Sequence, residues 1–404
     1  MKTEKLCPHC DPYLSKSGHL AEKIENLLYP IKNFFYPLEW ILQNYQWIHR
    51  LFNIVITSNF FKVLLFFNIL QEVEINDLDE TLHNRSLVVI KEARKRGITI
   101  KGIKILGKKS TNFFSWIINN NKKIFEGLPY FTVDKVLPID FDDKKKLKNL
   151  LPKENFPPPR GNVFRDYYLA LRYVKETLGF PVVVKPRNGS LSKHTTCDIK
   201  TESEFKEAVR IVKIISGDFI VEEFIEGNVY RITAVNGNVV AACRREPPNI
   251  IGDGKHIISE LIELKNKNPL RGEIHQKNYT LHKIIISEKT KFLLIQQKLR
   301  LDSVLPKGKK IYLHDKVVLA CGADIHDVTD IIHLDNIMLF KKIQEICKAS
   351  LVGIDFIAQD ISKPYYRQRC AIIEANSLPY IDMHYYPITG KERNIAAHIL
   401  DSFA

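Results

Sequence analysis

The pattern of hydrophobic positions divides the chain into segments of different character. Residues 20–75 are rich in aromatic and aliphatic side chains with two prolines as breakers, which predicts two or three helices. From about residue 86, short apolar runs alternate with basic segments that end at glycine, and the first run, residues 87–90, is predicted to be a strand. We therefore expect a helical N-terminal cap over residues 1–80 and a small α/β segment over residues 81–141.

A boundary lies at residues 142–160, where a charged run opens a predicted helix and three prolines close the connection after it. The Asn236-Gly237 pair marks a hairpin, because both residues tolerate the positive φ of a type I′ turn. Besides this hairpin, the periodicity predicts strands at 181–185, 219–221, 353–357 and 371–374 and helices through 205–215 and 334–346. We therefore expect the fold class α/β (α+β), with a second unit over residues 142–404.

Composition and charge narrow the class of protein. The 404 residues suffice for two or three domains, and 45% hydrophobic with 26% charged residues excludes fibrous, disordered and disulfide-scaffold proteins. Sixty Lys and Arg against 46 Asp and Glu leave a net charge of +14, which attracts anions without selecting among them. Seven scattered cysteines indicate reduced thiols and a cytoplasmic location. Polar residues interrupt the most apolar stretch, residues 51–70, so we expect no membrane span.

The first residues carry one motif of their own, Cys7-Pro8-His9-Cys10. It resembles a dithiol redox motif, but too few residues precede it for the strand and fold that such a motif needs. A zinc site would need two more ligands, and His19 is the nearest further candidate. Metal binding and an incidental pair of cysteines both remain open.

Two acids interrupt the late apolar strands. Asp355 follows an apolar run, and Glu374 stands two residues before Asn376, on the same face of the predicted strand. Buried acids need a cation, and carboxylate and amide oxygens are the ligands that Mg²⁺ prefers. The alternative is an ordinary salt bridge to one of the 60 basic residues.

Lys185 ends the predicted strand at 181–185 and precedes a polar loop, residues 187–192. An ammonium group there can neutralise a phosphate that the loop's backbone N–H groups bind. The alternative is a strand-end lysine with its stem along the protein surface. Basic segments at 144–148 and 307–310 lack the interleaved aromatic residues of nucleic-acid grooves, so we predict solvated faces and no nucleic-acid partner.

Taken in order, these motifs resemble the ATP-grasp superfamily of carboxylate-amine ligases, most closely the ATP-grasp modules of cyanophycin synthetase and of the fused glutathione-synthesising enzymes. The resemblance runs from about Asp142 to the C-terminus. The motifs that carry it are Asp143-Lys144, Tyr230-Arg231 and residues 181–186, 236–242, 251–255, 269–272, 327–330, 353–355 and 373–376.

The resemblance implies an ATP-grasp fold with residues 142–226 as a nucleotide lid subdomain and residues 227–404 as a metal-binding and substrate subdomain. It implies that the hinge at residues 222–225 reads adenine through its backbone, with Phe224 against the ring. The implied cofactor-binding residues are Lys144, Lys185, Ser190, Ser192, Glu222, Glu223, Phe224, Ile225 and Asn228. The implied ligands of two Mg²⁺ ions, or of Mn²⁺, are Asp355, Glu374 and Asn376, and the implied catalytic residues are Arg231 and Lys185.

The resemblance also implies a reaction. A substrate carboxylate would attack the γ-phosphate of ATP, and an amine would displace phosphate from the acyl phosphate to form an amide, on an amino acid or peptide. Two other readings stay open: a nucleotide-binding module without turnover, and a ligase that modifies a protein partner. A homo-oligomer is also left open. Asp382 stands where the superfamily has a basic residue, so we expect it to face the amine acceptor.

Overall fold

The computed structural model describes residues 70–105, 108–118, 121–129, 141–142, 144–151, 156–187 and 193–403. Its first unit is a four-stranded antiparallel sheet in the order β1–β2–β3–β4, packed on one helix. The elements are β1 (Leu70–Val73), α1 (Asn84–Lys95), β2 (Ile100–Ile105), β3 (Lys108–Ile118) and β4 (Asn121–Glu126).

Two expectations for this first unit are wrong. Residues 87–90, predicted to be a strand, lie inside α1, where all four side chains are buried. A short apolar run does not distinguish a buried strand from a buried helical segment, and here the helix continues to Lys95. Residues 70–73, expected to belong to the helical cap, form strand β1. Residues 1–69 of the predicted cap, with Cys7-Pro8-His9-Cys10, lie outside the described residues.

The next unit contains a four-stranded sheet, here called the small sheet, with the order β5–β8–β6–β7 and antiparallel neighbours. Its elements, with the helix before it, are α2 (Lys144–Leu150), β5 (Gly161–Phe164), α3 (Tyr167–Tyr173), β6 (Val182–Pro186), β7 (Thr196–Ile199), α4 (Glu202–Val212) and β8 (Phe219–Glu223). Val182, Val184, Phe219 and Val221 pack one face against the helices. Because side chains alternate along a strand, Lys185 and Glu222 lie on the other face.

The remaining chain builds a five-stranded antiparallel sheet, here called the central sheet, in the order β15–β10–β9–β16–β17. An insert, residues 249–313, has its own apolar core. The elements are β9 (Asn228–Val235), β10 (Asn238–Glu246), β11 (Asn249–Ile251), α5 (Ile258–Asn266), β12 (Arg271–Gly272), β13 (Leu281–His282), α6 (Glu288–Gln296), β14 (Lys310–Tyr312), β15 (Asp324–Asp327), α7 (Leu334–Cys347), β16 (Leu351–Ala358), β17 (Cys370–Asn376) and α8 (Ile395–Asp401).

The central sheet has two different faces. One face packs on α7 and α2 through residues such as Ile232, Ile354 and Phe356. The other face is apolar at one end, where Val235 and Leu351 join a core shared with α1, α8 and the first unit. At its other end this second face carries charged side chains, which form the site described below. Among the described residues, no helix is both long and apolar enough to cross a membrane.

The predicted elements of the second unit are confirmed. Asn236 and Gly237, with φ of 48° and 77°, turn the hairpin between β9 and β10. The predicted helices correspond to α4 and α7, and the four predicted strands correspond to β6, β8, β16 and β17. A capping box between Thr201 and Glu204 begins α4, which explains why the helix starts before its first apolar position.

Candidate active site

Lys185 lies on the face of the small sheet that is turned away from its helices, and it is only 6% exposed. Its ammonium group forms an ion pair with Glu222, which stands on the neighbouring strand β8 and is 5% exposed. Lys148 of α2 contacts the second carboxylate oxygen of Glu222 at 3.3 Å. Lys185 is therefore a paired, buried lysine rather than a solvated strand end.

A row of charged residues crosses the central sheet opposite this group. The strand register pairs Asp355 of β16 with Arg231 of β9 on one side and with Glu374 of β17 on the other. Arg231 donates from Nε to Asp355 Oδ1 at 2.5 Å and from Nη2 to Oδ2 at 3.3 Å. Arg245, from β10, reaches the same carboxylate at 3.1 Å. Asp355 is thus held by two guanidinium groups.

Lys144 joins α2 to this row, because its Nζ lies 3.2 Å from Oε1 of Glu374. The charge of Glu374 also acts on Lys185, which links the row to the small sheet. The linked cluster contains five cations, Lys144, Lys148, Lys185, Arg231 and Arg245, and three carboxylates, Glu222, Asp355 and Glu374. Its positive excess favours a bound polyanion.

Charged neighbours shift the pKa values of Asp355 and Lys185 toward the ionised forms, whereas burial lowers the pKa of Lys148. Burial alone would raise the pKa of Asp355, but Arg231 and Arg245 hold it below its usual value. Burial would likewise lower the pKa of Lys185, and Glu222 and Glu374 raise it instead. Asp355 and Lys185 are therefore held in their charged forms by their neighbours.

The residues expected to hold metal ions lie together on β16 and β17. Asp355 faces Glu374 across the two strands, and Asn376 pairs with Gly353 two residues further on. Asn376 donates to the Gly353 carbonyl oxygen at 3.4 Å, which leaves its own amide oxygen as a ligand atom. Two carboxylates and one amide oxygen suit Mg²⁺. Asp355 and Glu374 each form a salt bridge, which was the alternative to a metal site. Their role as metal ligands stays a prediction.

The predicted adenine hinge, residues 222–225, spans the end of β8, and two of its amides already have backbone partners. The Glu223 amide donates to the Arg160 carbonyl at 2.9 Å, and the Phe224 amide donates to the Pro181 carbonyl at 3.1 Å. The Glu223 carboxylate accepts from Arg160 and Arg369, and Ile225 is buried. Backbone recognition of adenine would therefore use other groups of Glu222, Glu223, Phe224 and Ile225 than these two amides.

Three further residues, Asn228, Ser190 and Ser192, were predicted to bind the cofactor. Asn228, at the start of β9, donates its side-chain amide to the Gln359 carbonyl at 2.7 Å, which leaves its oxygen as an acceptor. Ser190 and Ser192 lie outside the described residues. Their roles remain predictions.

A cleft of about 490 Å³ opens beside the cluster at the β5 edge of the small sheet. Its walls include Lys145, Lys148, Arg160, Gly161, Tyr173 and Ile220. Lys148 belongs both to this cleft and to the ion pair with Glu222. The cleft and the charged cluster therefore share Lys148.

Sequence reasoning missed Arg245 and Lys148. Arg245 follows a second arginine near the end of β10, and nothing local separates it from the many other basic residues of the chain. Lys144, which the resemblance assigned to the ATP phosphates, and Lys148, expected on a solvated face, turn inward with side chains 12% and 20% exposed. Their spacing of four residues on one helix face was the signal that could have identified them.

Asp382, expected to face the amine acceptor, is almost fully buried. The residue is 3% exposed, and its Oδ2 accepts a hydrogen bond from Thr280 at 2.5 Å. Asn84 of α1 donates to the same Thr280 hydroxyl at 2.8 Å. Burial raises the pKa of Asp382. Asp382 therefore joins three distant segments in the interior of the protein.

A second acidic group, Glu246, Asp324 and His326, brings its ligand atoms within 4.8 Å of one another. Its carboxylates already have cationic partners: Lys310 lies 2.9 Å from Glu246, and Lys265 lies 2.6 Å from Asp324. These contacts fasten the insert to the edge of the central sheet. We interpret the group as an ion-pair network rather than a metal site.

Comparison with known proteins agrees with this arrangement. The RimK-like ATP-grasp domain family matches residues 141–251. A cyanophycin synthetase from Trichormus variabilis is 33% identical over 341 residues, 82% of this chain and 36% of that protein. A glutathione biosynthesis bifunctional protein from Streptococcus agalactiae is 32% identical over 270 residues, 66% of this chain and 36% of that protein. The chain thus spans about a third of the length of these curated relatives.

A solved structure, a bifunctional glutathione synthetase from Pasteurella multocida, superposes with a TM-score of 0.62 at 24% identity, covering 80% of this chain and 44% of that one. This likeness concerns the fold. Together with the domain match, it confirms the fold class and the family inferred from the sequence motifs. Residues 141–251 thus match the RimK-like ATP-grasp domain, which is the resemblance that the sequence motifs predicted.

Proposed function

We propose that the protein is an ATP-dependent ligase that joins a carboxylate to an amine. The observation that carries this proposal is the linked cluster, in which lysines from the small sheet and α2 meet the Arg231–Asp355–Glu374 row. Its excess of positive charge suits a triphosphate, and the relatives named above are enzymes that make amide or peptide bonds.

The proposed reaction has two steps. A carboxylate oxygen attacks the γ-phosphorus of ATP, the bond to the bridging oxygen breaks, and ADP leaves with its electron pair. The amine nitrogen then attacks the acyl carbon, loses a proton, and inorganic phosphate leaves with the original carboxylate oxygen. Both steps depend on aligned anions and on neutralised charge.

We assign the roles of the residues as follows. Lys144 and Lys185 neutralise the phosphates of ATP, and the hinge at residues 222–225 binds adenine. Arg231 faces the reacting carboxylate and stabilises the acyl phosphate, with Arg245 holding Asp355 beside it. Asp355, Glu374 and Asn376 would hold Mg²⁺, which shields the charge of the phosphate oxygens.

The substrate class is a small molecule or peptide with a carboxylate, together with an amine acceptor. A module that binds nucleotide without turnover remains the main alternative, because residues 188–195 contain one glycine, Gly189, where the superfamily has a glycine-rich loop. We also keep a cytoplasmic location as a proposal.

An isotope experiment tests the reaction. Candidate amino acids and dipeptides carrying ¹⁸O in the carboxylate are incubated with the protein, ATP, Mg²⁺ and a panel of amines. We expect ADP, an amide product, and inorganic phosphate that carries one ¹⁸O. Label in AMP would indicate an adenylate instead, and ATP binding without any phosphate release across the panel would favour the binding module.

A further inference from the structure

The loop after β6 ends in a stem, His194-Thr195, that is held from two sides. His194 is fully buried, and its Nδ1 lies 2.7 Å from the carbonyl oxygen of Ile211 in α4. The carbonyl oxygen of Thr195 accepts a hydrogen bond from the ammonium group of Lys316. One contact fixes the stem within its own unit, and the other ties it to the segment between β14 and β15.

The segment that carries Lys316 is itself fixed. The backbone N–H of Lys316 donates to Nδ1 of His314 at 2.9 Å. Asp315 pairs with Lys289 of α6 at 2.6 Å, which anchors the segment on the insert. The ammonium group of Lys316 therefore extends from a turn that these two contacts hold in place.

The ammonium of Lys316 also lies on the same side of the small sheet as the charged cluster. Both Lys316 and Lys185 act electrostatically on the Cys197 thiol of β7. Lys316 thus stands beside the strand that follows the predicted phosphate loop, close to the lysine expected to bind phosphate.

We propose that Lys316 is a positioning residue that fixes the stem of the phosphate loop against the insert. The inference rests on the proposed function, because that function makes residues 188–195 a phosphate-binding loop. His194 and Thr195 connect the residues expected to bind phosphate to β7, so a contact that fixes these two residues fixes where that segment joins the small sheet. A charged donor on a carbonyl oxygen is one of the stronger single contacts available for this purpose.

Hydrogen exchange in the full chain without nucleotide tests the positioning role directly. In Lys316→Met, we expect the amides of residues 194–199 to exchange about tenfold faster, because a charged hydrogen bond to the stem is lost. Lys316→Arg should restore slow exchange, since a guanidinium also donates to a carbonyl. Lys307→Met, at an exposed lysine of the same region, should behave like the wild type.

Turnover gives the second readout. We expect Lys316→Met to lower kcat for phosphate release about tenfold while KM for ATP changes by less than about threefold, as for a misplaced loop. Unchanged exchange in Lys316→Met, or a change that Lys316→Arg does not restore, overturns the proposal. Lost ATP affinity with unchanged exchange also overturns it and identifies a direct phosphate ligand. A wild type that releases no phosphate refutes the proposed function, whereas the exchange result still decides whether Lys316 holds the stem.

Discussion

The ion pair between Lys185 and Glu222 allows stability and nucleotide binding to be separated by two substitutions. Lys185→Met removes one cation from Glu222, but Lys148 remains 3.3 Å from that carboxylate. Breaking a buried pair typically costs about 3–5 kcal/mol when the remaining charge is left alone, so we expect a loss nearer to about 2 kcal/mol here. Glu222→Gln leaves two lysines without their shared anion and should cost about 3 kcal/mol or more.

ATP binding should rank the two variants in the opposite order. Lys185→Met loses a charge-assisted contact to phosphate, worth about 1.5–3 kcal/mol, or roughly a 10- to 150-fold rise in Kd. Glu222→Gln keeps both lysines and removes a negative charge, so Kd should stay equal or fall. Calorimetric titration with ATP and Mg²⁺ and urea unfolding measure the two quantities. Lys206→Met, at an exposed lysine of α4, is the control.

The reasoning is refuted if Lys185→Met binds ATP like the wild type. It is also refuted if both variants lose affinity in proportion to their loss of stability, because the cluster would then act only as a structural unit.

Three further substitutions address the metal ligands, a buried histidine and a close backbone approach. Glu374→Gln should raise the Mg²⁺ concentration for half-maximal phosphate release about tenfold or more, whereas Glu345→Gln on the surface of α7 should not. Burial and the nearby Arg231 charge lower the pKa of His384 to about 3, so the unfolded chain takes up a proton below pH 6.5 that the native protein does not. Stability should therefore fall as the pH drops from 6.5 to 4, and His384→Gln should make this decline shallower by about 1.4 kcal/mol per pH unit in urea titrations. A Cβ at Gly353 would meet a proline side chain at 2.5 Å, so Gly353→Ala should cost about 1–3 kcal/mol of unfolding free energy, while Gly217→Ala, in open space, should cost little; equal urea midpoints would contradict this.

Local sequence patterns were sufficient where local physics decides the structure. The Asn236-Gly237 turn and the apolar repeats of β6, β16 and β17 depend on neighbouring residues, and each was predicted. The two acids of β16 and β17 also indicated a cation partner correctly. The identity of the partner could not be predicted, because the strand register that pairs Asp355 with Arg231 joins residues 124 positions apart.

Sequence reasoning was insufficient where segments that are distant in the chain bury a residue. Residues 87–90 have the composition of a strand, yet they form one turn of a helix that is buried on all sides there, with the first sheet and α8 among its neighbours. Asp382, expected at a substrate pocket, is enclosed through Thr280 by a helix that starts almost 300 residues earlier. A single chain does not reveal such contacts, because they depend on how distant units dock.

Because α1 and α8 share a core with the central sheet, the part of the chain that folds together is larger than the part that matches the domain family. The domain match begins at residue 141, yet Val235, Leu351 and Ile395 of the later chain pack with Leu87 and Phe114 of the first unit. A fragment cut at the homology boundary would expose this apolar surface and the polar contact at Asp382 to water. Excision or grafting of the ATP-grasp module should therefore include the first unit, although the domain match alone would place the cut after it.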